Sequence, residues 1–267
     1  MKNKSNIYLI FGLVVITSII TVTATIHSQT DRRNQNTASF IKLQQIENND
    51  APVLDYETEL QKPFNQESAD KSRYFNSLGS PDMSKQITEL PPGVEPLPII
   101  SRWWIGLPAL PVAQSSAVVV GEVTDTAAHF SDNKRGIYSE FVISVTEIFK
   151  DADNSINLKN KISANRVGGS VRFASGRINK YRIDKQGMPQ KGERYFLFLN
   201  KISDGDYLIL TGYKLSNGKI APLDGENNKD PRSDLSFAQY RDADEQRLRQ
   251  DLQAALQTVL AEGGGKQ

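Results

Sequence analysis

Side chains that carry most enzyme chemistry are scarce in this sequence. The chain of 267 residues contains no cysteine and two histidines, His27 and His129. The absence of cysteine excludes disulfides, thiolate zinc sites, iron–sulfur clusters and cysteine nucleophiles. His129 stands alone in the part of the chain after residue 28, and one histidine is too few for the usual histidine-rich metal site. We therefore expect no metal and no cofactor, and we predict that His129 lies in a surface loop.

Catalytic motifs are also missing. The sequence contains no G-x-S-x-G nucleophile elbow, no P-loop and no G-x-G-x-x-G dinucleotide fingerprint. Glu140 and Glu147 lie on one predicted strand, but their separation of more than roughly 20 Å is too large for the paired carboxylates of a glycosidase. These absences predict a protein that is not an enzyme.

Basic residues are concentrated in one segment, from Lys161 to Lys201. Ten basic residues there are opposed only by Asp184 and Glu193, which gives the segment a net charge of +8. Guanidinium and ammonium groups bind phosphate and carboxylate, so the segment predicts a site for an anionic ligand. The candidate binding residues are Arg166, Arg172, Arg177, Lys180, Arg182 and Lys185. The alternative is a solvated basic face that serves solubility alone.

The N-terminal residues have the pattern of a membrane-directed segment. Lys2 and Lys4 precede an uncharged run of 20 residues, 7–26, of which 14 are apolar. About 20 apolar residues can span a bilayer, and the preceding lysines would keep the N-terminus in the cytoplasm. Residues 1–28 are therefore predicted to be a signal peptide or an uncleaved transmembrane signal anchor. Both alternatives place the rest of the chain outside the cytoplasm, in the periplasm, on the cell surface or in the medium.

Residues 29–112 differ in composition from the rest of the chain. Asn, Gln, Asp and Glu crowd the stretch 29–82, and six of the 12 prolines lie between residues 91 and 111. Prolines favour extended conformations and cannot donate to a central sheet. We predict a spacer of low order, polar at first and proline-rich towards its end. Its tryptophans, Trp103 and Trp104, either hold the spacer against the folded domain or form an interface with a ligand or a membrane surface.

Residues 113–232 carry the pattern of short strands joined by hairpins. β-branched apolar residues dominate positions 117–123, and positions 137–150 largely alternate between apolar and polar residues. Three dipeptides are typical of hairpin turns: Gly168-Gly169, Asp204-Gly205 and Asn217-Gly218. Around the first, one predicted face holds Ile162, Ala164, Val171 and Phe173. About seven strands in roughly 110 residues predict a mainly β fold, a small antiparallel OB-like barrel or a sandwich.

The hairpin predicted around Asp204-Gly205 is apolar on both faces. One face holds Tyr195, Leu197, Leu199, Leu208 and Leu210, and the other holds Phe196, Phe198, Tyr207 and Ile209. Both faces must then be covered. The segment 233–262 is a candidate cover, because its leucines from Leu248 onward recur at helical spacing. It predicts a C-terminal amphipathic helix that begins after Ser233 and packs on the barrel.

The strand segments resemble those of known proteins. The residues concerned are Val118 to Val123, then Phe141, Ile143, Val145 and Ile148 to Lys150, then Gly192, Tyr195, Leu197 and Phe198. The pattern resembles uncharacterised exported bacterial β-rich proteins and is distantly similar to the OB-like barrel of netrin-like modules, which include tissue inhibitors of metalloproteinases. The resemblance implies a barrel of five to seven strands and a binding role. The named inhibitors use an N-terminal cysteine that this chain lacks, so the resemblance does not extend to protease inhibition.

These patterns predict an exported, non-enzymatic binding module, anchored in the membrane through residues 7–26 if that run is not cleaved. Its predicted partner is an unknown protein or an anionic polymer or lipid of the cell envelope. The balance of 32 basic and 31 acidic residues argues against a nucleic-acid partner. The alternatives are a hydrolase acting on an envelope polymer and a structural partner in an envelope complex that uses Trp103, Trp104 and the helix.

Overall fold

Strands dominate the part of the chain that the computed structural model describes, which is residues 51–63, 65–77, 86–98, 100, 103–158, 160–225 and 236–263. The strands are β1 (Val53–Asp55), β2 (Ala117–Phe130), β3 (Ile137–Asp151), β4 (Lys161–Val167), β5 (Gly169–Arg172), β6 (Ile178–Tyr181), β7 (Arg194–Ser203), β8 (Asp206–Ser216) and β9 (Lys219–Pro222). The helices are α1 (Tyr56–Leu60), α2 (Gln66–Tyr74) and α3 (Glu245–Gly263), and 3-10 turns span Phe75–Ser77 and Ser236–Tyr240.

Five of these strands close into a barrel. Antiparallel contacts join them in the order β4–β3–β2–β7–β8. The ring closes because β8 also pairs in parallel with β4, which places Ser163 opposite Asp206. The other end of β8 pairs with β9. The predicted fold class, a mainly β chain with a small barrel or sandwich and a C-terminal helix, is confirmed: the sheets are largely antiparallel, and the closed ring of strands agrees with the barrel alternative.

A small second sheet corrects the hairpin predicted at Gly168-Gly169. In this sheet β5 pairs in parallel with β1 and antiparallel with β6, and β4 is not its partner. The chain leaves the barrel at Gly168, which has a φ of 100° and leaves no room for a side chain. A Cβ atom at this position would lie 2.9 Å from the Tyr181 carbonyl oxygen. Val171 and Phe173 consequently pack in a separate apolar cluster and not in the barrel interior.

The barrel interior is filled by apolar side chains from all five strands. The main contributors are Val119, Val123, Phe141, Ile143, Val145, Ile162, Ala164, Tyr195, Leu197, Leu199, Tyr207 and Ile209. The two apolar faces predicted for β7 are confirmed, because Phe196 and Phe198 pack outside the barrel. On β8 the predicted faces are wrong, since a register shift between Lys201 and Ser203 turns Tyr207 and Ile209 inward.

The outer face of β2, β7 and β8 is covered by the C-terminal helix and its neighbours. Leu248 and Leu252 of α3 are fully buried in the outer apolar cluster, with Phe237 of the preceding 3-10 turn. This packing of α3 on the barrel agrees with the amphipathic pattern of its sequence. The predicted helix start after Ser233 lies outside the described residues, and α3 begins at Glu245.

An ion pair between Arg249 of α3 and Glu147 of β3 links the helix to the barrel. The Arg249 guanidinium donates to both carboxylate oxygens of Glu147 on β3, at 2.6 and 2.8 Å. These hydrogen bonds hold the pKa of the Glu147 carboxyl below its ordinary value. The guanidinium also lies over the Phe149 and Phe196 rings, so it contributes packing as well as charge.

Residues 51–77, within the predicted spacer 29–112, contain short elements of secondary structure that its composition did not indicate. β1 joins the small sheet, and α1 follows directly after it. The Asp55 side chain caps α1 by accepting the Thr58 N–H at 3.1 Å. Composition concealed these elements because they are short and depend on tertiary contacts for their stability.

The described residues 65–77 form what we call the α2 arm, which lies on the outer face of β3, β4 and β8. Phe75 is its main anchor. This side chain is fully buried and stacks on Tyr138 of β3, with 4.2 Å between the ring centroids. Asn76 accepts two hydrogen bonds from Asn133, at 2.8 and 3.1 Å.

The membrane-directed run 7–26 and the signal segment 1–28 lie outside the described residues, as does the first part of the predicted spacer, up to residue 50. Among the helices of the described part, none has the length and apolar content needed to cross a membrane. The domain boundaries predicted at residues 112 and 232 stay predictions.

A pair of leucines on α3 tests how the helix contributes to stability. Leu248 is fully buried, whereas Leu260 is 74% exposed. We expect Leu248→Ala to lower the free energy of unfolding by about 2–5 kcal/mol, because it removes buried apolar surface and leaves a cavity. The matched variant Leu260→Ala should change it by less than about 0.5 kcal/mol. Denaturant unfolding of both variants provides the measurement, and equal losses would contradict the docked position of α3.

Candidate functional site

Arg166, one of the predicted anion-binding residues, is buried inside the protein. It is 1% exposed, and its guanidinium binds the Asp224 carboxylate at 2.6 Å and the Leu210 carbonyl oxygen at 3.3 Å. It also donates to the Gly187 carbonyl, while the Thr211 hydroxyl donates to Asp224 at 2.8 Å. Arg166 therefore belongs to an internal ion pair and not to a surface that could reach a polymer.

Two further basic residues of the predicted set hold the proline-rich segment. Arg177 donates to the Leu90 carbonyl and lies 3.6 Å from the Glu89 carboxylate. The Lys185 ammonium lies 5.1 Å from the centre of the Trp104 ring. Both cations are thus engaged by residues of the segment that precedes the barrel.

Of the remaining three residues, Arg172 and Lys180 lie on one face of the small sheet, and Arg182 follows directly after β6. In the β5–β6 ladder Arg172 is opposite Ile178, and Lys180 is opposite Ser170. Side chains two positions apart on a strand point the same way, so the register places Arg172 and Lys180 on one face, and Arg182 follows directly after the end of β6. We call Arg172, Lys180 and Arg182 the basic face.

The register also determines which way the basic face points. Val171 and Tyr181, which alternate with its members, are buried in the apolar cluster on the other side of the sheet. Arg172 and Arg182 are exposed. On β1, Asp55 is opposite Arg172, so one carboxylate partly offsets the three positive charges.

Trp103 and Trp104, which belong to the proline-rich segment, pack against the rest of the domain. Trp103 stacks on Phe237, with 6.1 Å between the ring centroids, and the Arg166 guanidinium lies 5.4 Å from its ring centre. Both tryptophans are partly buried in the outer apolar cluster. These contacts favour the interpretation that the tryptophans hold the segment against the domain.

A cluster of charged side chains lies where the α2 arm meets the barrel. The Lys71 Nζ is 2.7 Å from Asp206 Oδ1, 2.9 Å from Glu140 Oε2 and 3.3 Å from Ser163 Oγ. Burial lowers the pKa of Lys71, but hydrogen bonds and the charges of Asp206 and Glu140 outweigh burial, so the pKa is raised above its ordinary value. Lys71 is therefore bound as an ammonium ion.

His129 extends the cluster on the other side of Glu140. Its Nδ1 lies 3.2 Å from the Glu59 carboxylate of α1, and its Nε2 lies 3.7 Å from Glu140. Burial raises the pKa of Glu59, but hydrogen bonds from His129 and Lys62 outweigh it and lower that pKa. His129 is half-buried and lies on β2, which corrects the prediction of a surface loop.

The charge on Lys71 decides which chemistry the cluster can support. Ser163 and Lys71 are close enough to suggest a serine–lysine nucleophile. A lysine that activates serine must give up its proton, however, and the raised pKa of Lys71 opposes this. Within the described ranges, no three His, Asp or Glu side chains are grouped so that they could hold a metal ion.

Two cavities flank the α2 arm, and Lys71 lines both. The larger has a volume of about 660 Å³ and lies between α2 and the β7–β8 turn, where Tyr74 and Asp204 face it. The smaller, of about 260 Å³, lies between α1, α2 and the barrel residues His129 and Glu140. The larger volume is within the range of pockets that bind small ligands.

Sequence reasoning missed this cluster because its members are far apart in the chain. Lys71 and Glu140 are 69 residues apart. Asp206 directly follows the hairpin turn predicted at Asp204-Gly205, so it was not considered as a site residue. Only the closure of the barrel and the docking of the α2 arm bring them together. The basic segment, by contrast, was evident from local composition, but its six candidate residues do not form one site. One is buried in the interior, two contact the segment that precedes the barrel, and three belong to the basic face.

Comparison with known proteins finds no family model and no curated protein that matches this chain. The resemblance to netrin-like modules stays a prediction.

The buried ion pair distinguishes Arg166 from the exposed members of the predicted set. We expect Arg166→Ala to lower the free energy of unfolding by about 3–5 kcal/mol, because Asp224 keeps a buried charge without its partner. Arg182→Ala removes the same kind of side chain from the surface and should cost less than about 0.5 kcal/mol. Denaturant unfolding compares the two, and a small effect of Arg166→Ala would contradict its structural role.

Proposed function

We propose that the protein is an exported, non-enzymatic binding module that holds an anionic component of the cell envelope on its basic face. The observation that carries the proposal is the register of β5 and β6, which puts Arg172 and Lys180 on one outward face, with the exposed Arg182 one residue beyond the end of β6. Arginine binds phosphate and carboxylate groups through paired N–H donors, and clustered cations attract polyanions over a distance.

Export is the part of the proposal that rests on the N-terminal sequence. Lys2 and Lys4 followed by the uncharged run 7–26 have the form of a signal peptide or a signal anchor. In either form the barrel lies outside the cytoplasm, where phosphate-bearing lipids and polymers of the envelope are within reach. The absence of cysteine then requires packing and ion pairs, such as Arg166 with Asp224, to stabilise the fold.

The alternative of an envelope hydrolase has less support in the geometry. Glu140 and Asp206 are the two carboxylates that lie close together on the barrel face, and both are bound to Lys71. A general acid and a general base need access to the substrate. Lys71, which contacts both carboxylates, occupies the space that a substrate would need.

Binding to phosphate-bearing probes tests the proposed function. The probes are phosphatidylcholine vesicles containing phosphatidylglycerol, and soluble inorganic polyphosphate, which separate a lipid from a polymer source. We expect Arg172→Ala combined with Arg182→Ala to lose about 2 kcal/mol of binding, or about thirty-fold at low salt, since each cation contributes about 1 kcal/mol near an anionic surface.

The control is Lys219→Ala combined with Arg247→Ala, which removes the same net charge from β9 and α3. This variant should bind nearly as well as the wild type. Equal losses in the two double variants would show that net charge alone drives binding. That result, or the absence of binding to both probes at physiological salt, would contradict a dedicated basic face.

A further inference from the structure

The barrel presents a pocket of acceptor side chains at the place where it closes. Glu140 of β3, Ser163 of β4 and Asp206 of β8 come from three adjacent strands, and the β4–β8 ladder puts Ser163 directly opposite Asp206. A primary ammonium has three donors arranged around one nitrogen. Three acceptors converging on one point, two of them carboxylates, therefore suit an ammonium group better than a planar guanidinium.

In this conformation the pocket is occupied by Lys71 of the protein's own α2 arm, but the fit is incomplete. Lys71 donates aligned hydrogen bonds to Glu140 and Ser163. Its contact with Asp206 Oδ1, at 2.7 Å, is the shortest of the three. The neighbouring Asn165, which donates to Ser163 at 3.2 Å, is fully buried, and its Oδ1 lacks a donor. A buried acceptor without a donor costs free energy, so Lys71 leaves one acceptor beside the pocket unsatisfied.

The α2 arm also leaves space on both sides of Lys71. Cavities of about 660 and 260 Å³ lie between the arm and its surroundings. Both are clefts that open to solvent, and Ala69 and Phe75 are the only buried side chains among those described in the arm. Segments held by few buried contacts open at a lower free energy than a barrel strand.

We propose that the pocket formed by Glu140, Ser163 and Asp206 is a binding site for a lysine side chain of a partner protein, and that Lys71 is an internal occupant which the partner's lysine displaces. Displacement exchanges one ammonium for another, so the two carboxylates stay neutralised throughout. The site lies on the outer face of the barrel beneath the α2 arm, and it does not depend on the basic face.

Competition by Lys71 gives the proposal an unusual consequence, because removal of a side chain should strengthen binding. When a binding-competent state is only partly populated, the apparent affinity is reduced by that fraction. We expect Lys71→Ala in the full chain to bind the peptide acetyl-Gly-Lys-Gly-amide at least about tenfold more tightly than the wild type does. The Nε-acetylated form of the same peptide should not bind, since acetylation removes the ammonium.

Isothermal titration of both peptides into the variants provides the test. Adding Glu140→Gln and Asp206→Asn to Lys71→Ala should abolish binding of the lysine peptide. The matched control is Lys191→Ala, which removes an exposed lysine that lies 2.8 Å from the Asp125 carboxylate, and which should bind like the wild type. No binding by Lys71→Ala, or equal binding of the acetylated peptide, would overturn the proposal and leave Lys71 a structural ion pair.

A second measurement applies if Lys71→Ala does not fold in buffer. The variant is then refolded in n-butylammonium or in n-butanol, which differ in charge but little in size. Recovery of the native circular dichroism spectrum in butylammonium alone supports an ammonium pocket. Recovery in neither solution, or in both, would contradict it.

Discussion

The parallel pairing of β4 with β8 is the contact on which the barrel and its candidate pocket both depend. Without it the six-stranded sheet would keep two free edges, and the interior cluster would have no enclosing wall. The same pairing puts Ser163 opposite Asp206, and β3 brings Glu140 beside them. Closure therefore stabilises the fold and assembles the acceptor groups in one step.

Closure of the barrel also determines which of its outer faces must be covered by other elements. β7 is apolar on both faces, so Phe196 and Phe198 require a second layer, which α3, the 3-10 turn before it and the tryptophan segment supply. The outer face of β3, β4 and β8 is covered differently. There a single buried ring, Phe75, is combined with a network of charges, and cavities remain on both sides of α2. One cover is therefore a packed apolar layer, and the other is held by one buried ring and by charged contacts, with clefts open to solvent beside it.

Features that depend on neighbouring residues could be predicted from the sequence, whereas features that depend on contacts between distant residues could not. The two apolar faces of β7 and the helical spacing of Leu248 and Leu252 are local patterns, and the structure agrees with them. The prediction of which β8 side chains face inward was wrong, because a bulge beside the turn shifts the register by one residue. No local sequence pattern marked that bulge.

The prediction of a hairpin between β4 and β5 failed for a similar reason. Two glycines suit a tight hairpin, but they equally permit a chain to pass from one sheet to another. For the site, local composition identified basic residues but not their partners. Arg166 became internal because Asp224, 58 residues later, neutralises it, and the Lys71 cluster exists only once distant strands have met.

Hydrogen exchange of the full-length wild-type chain, with and without acetyl-Gly-Lys-Gly-amide in excess, tests most directly whether the α2 arm is a displaceable occupant of the pocket. If the peptide displaces Lys71, amides of the arm, residues 66–77, should exchange faster when it is bound, while those of β2 and β7 keep their protection. Unchanged or stronger protection of the arm at saturating peptide would contradict the account, because the ligand would then bind without moving the helix that fills its site.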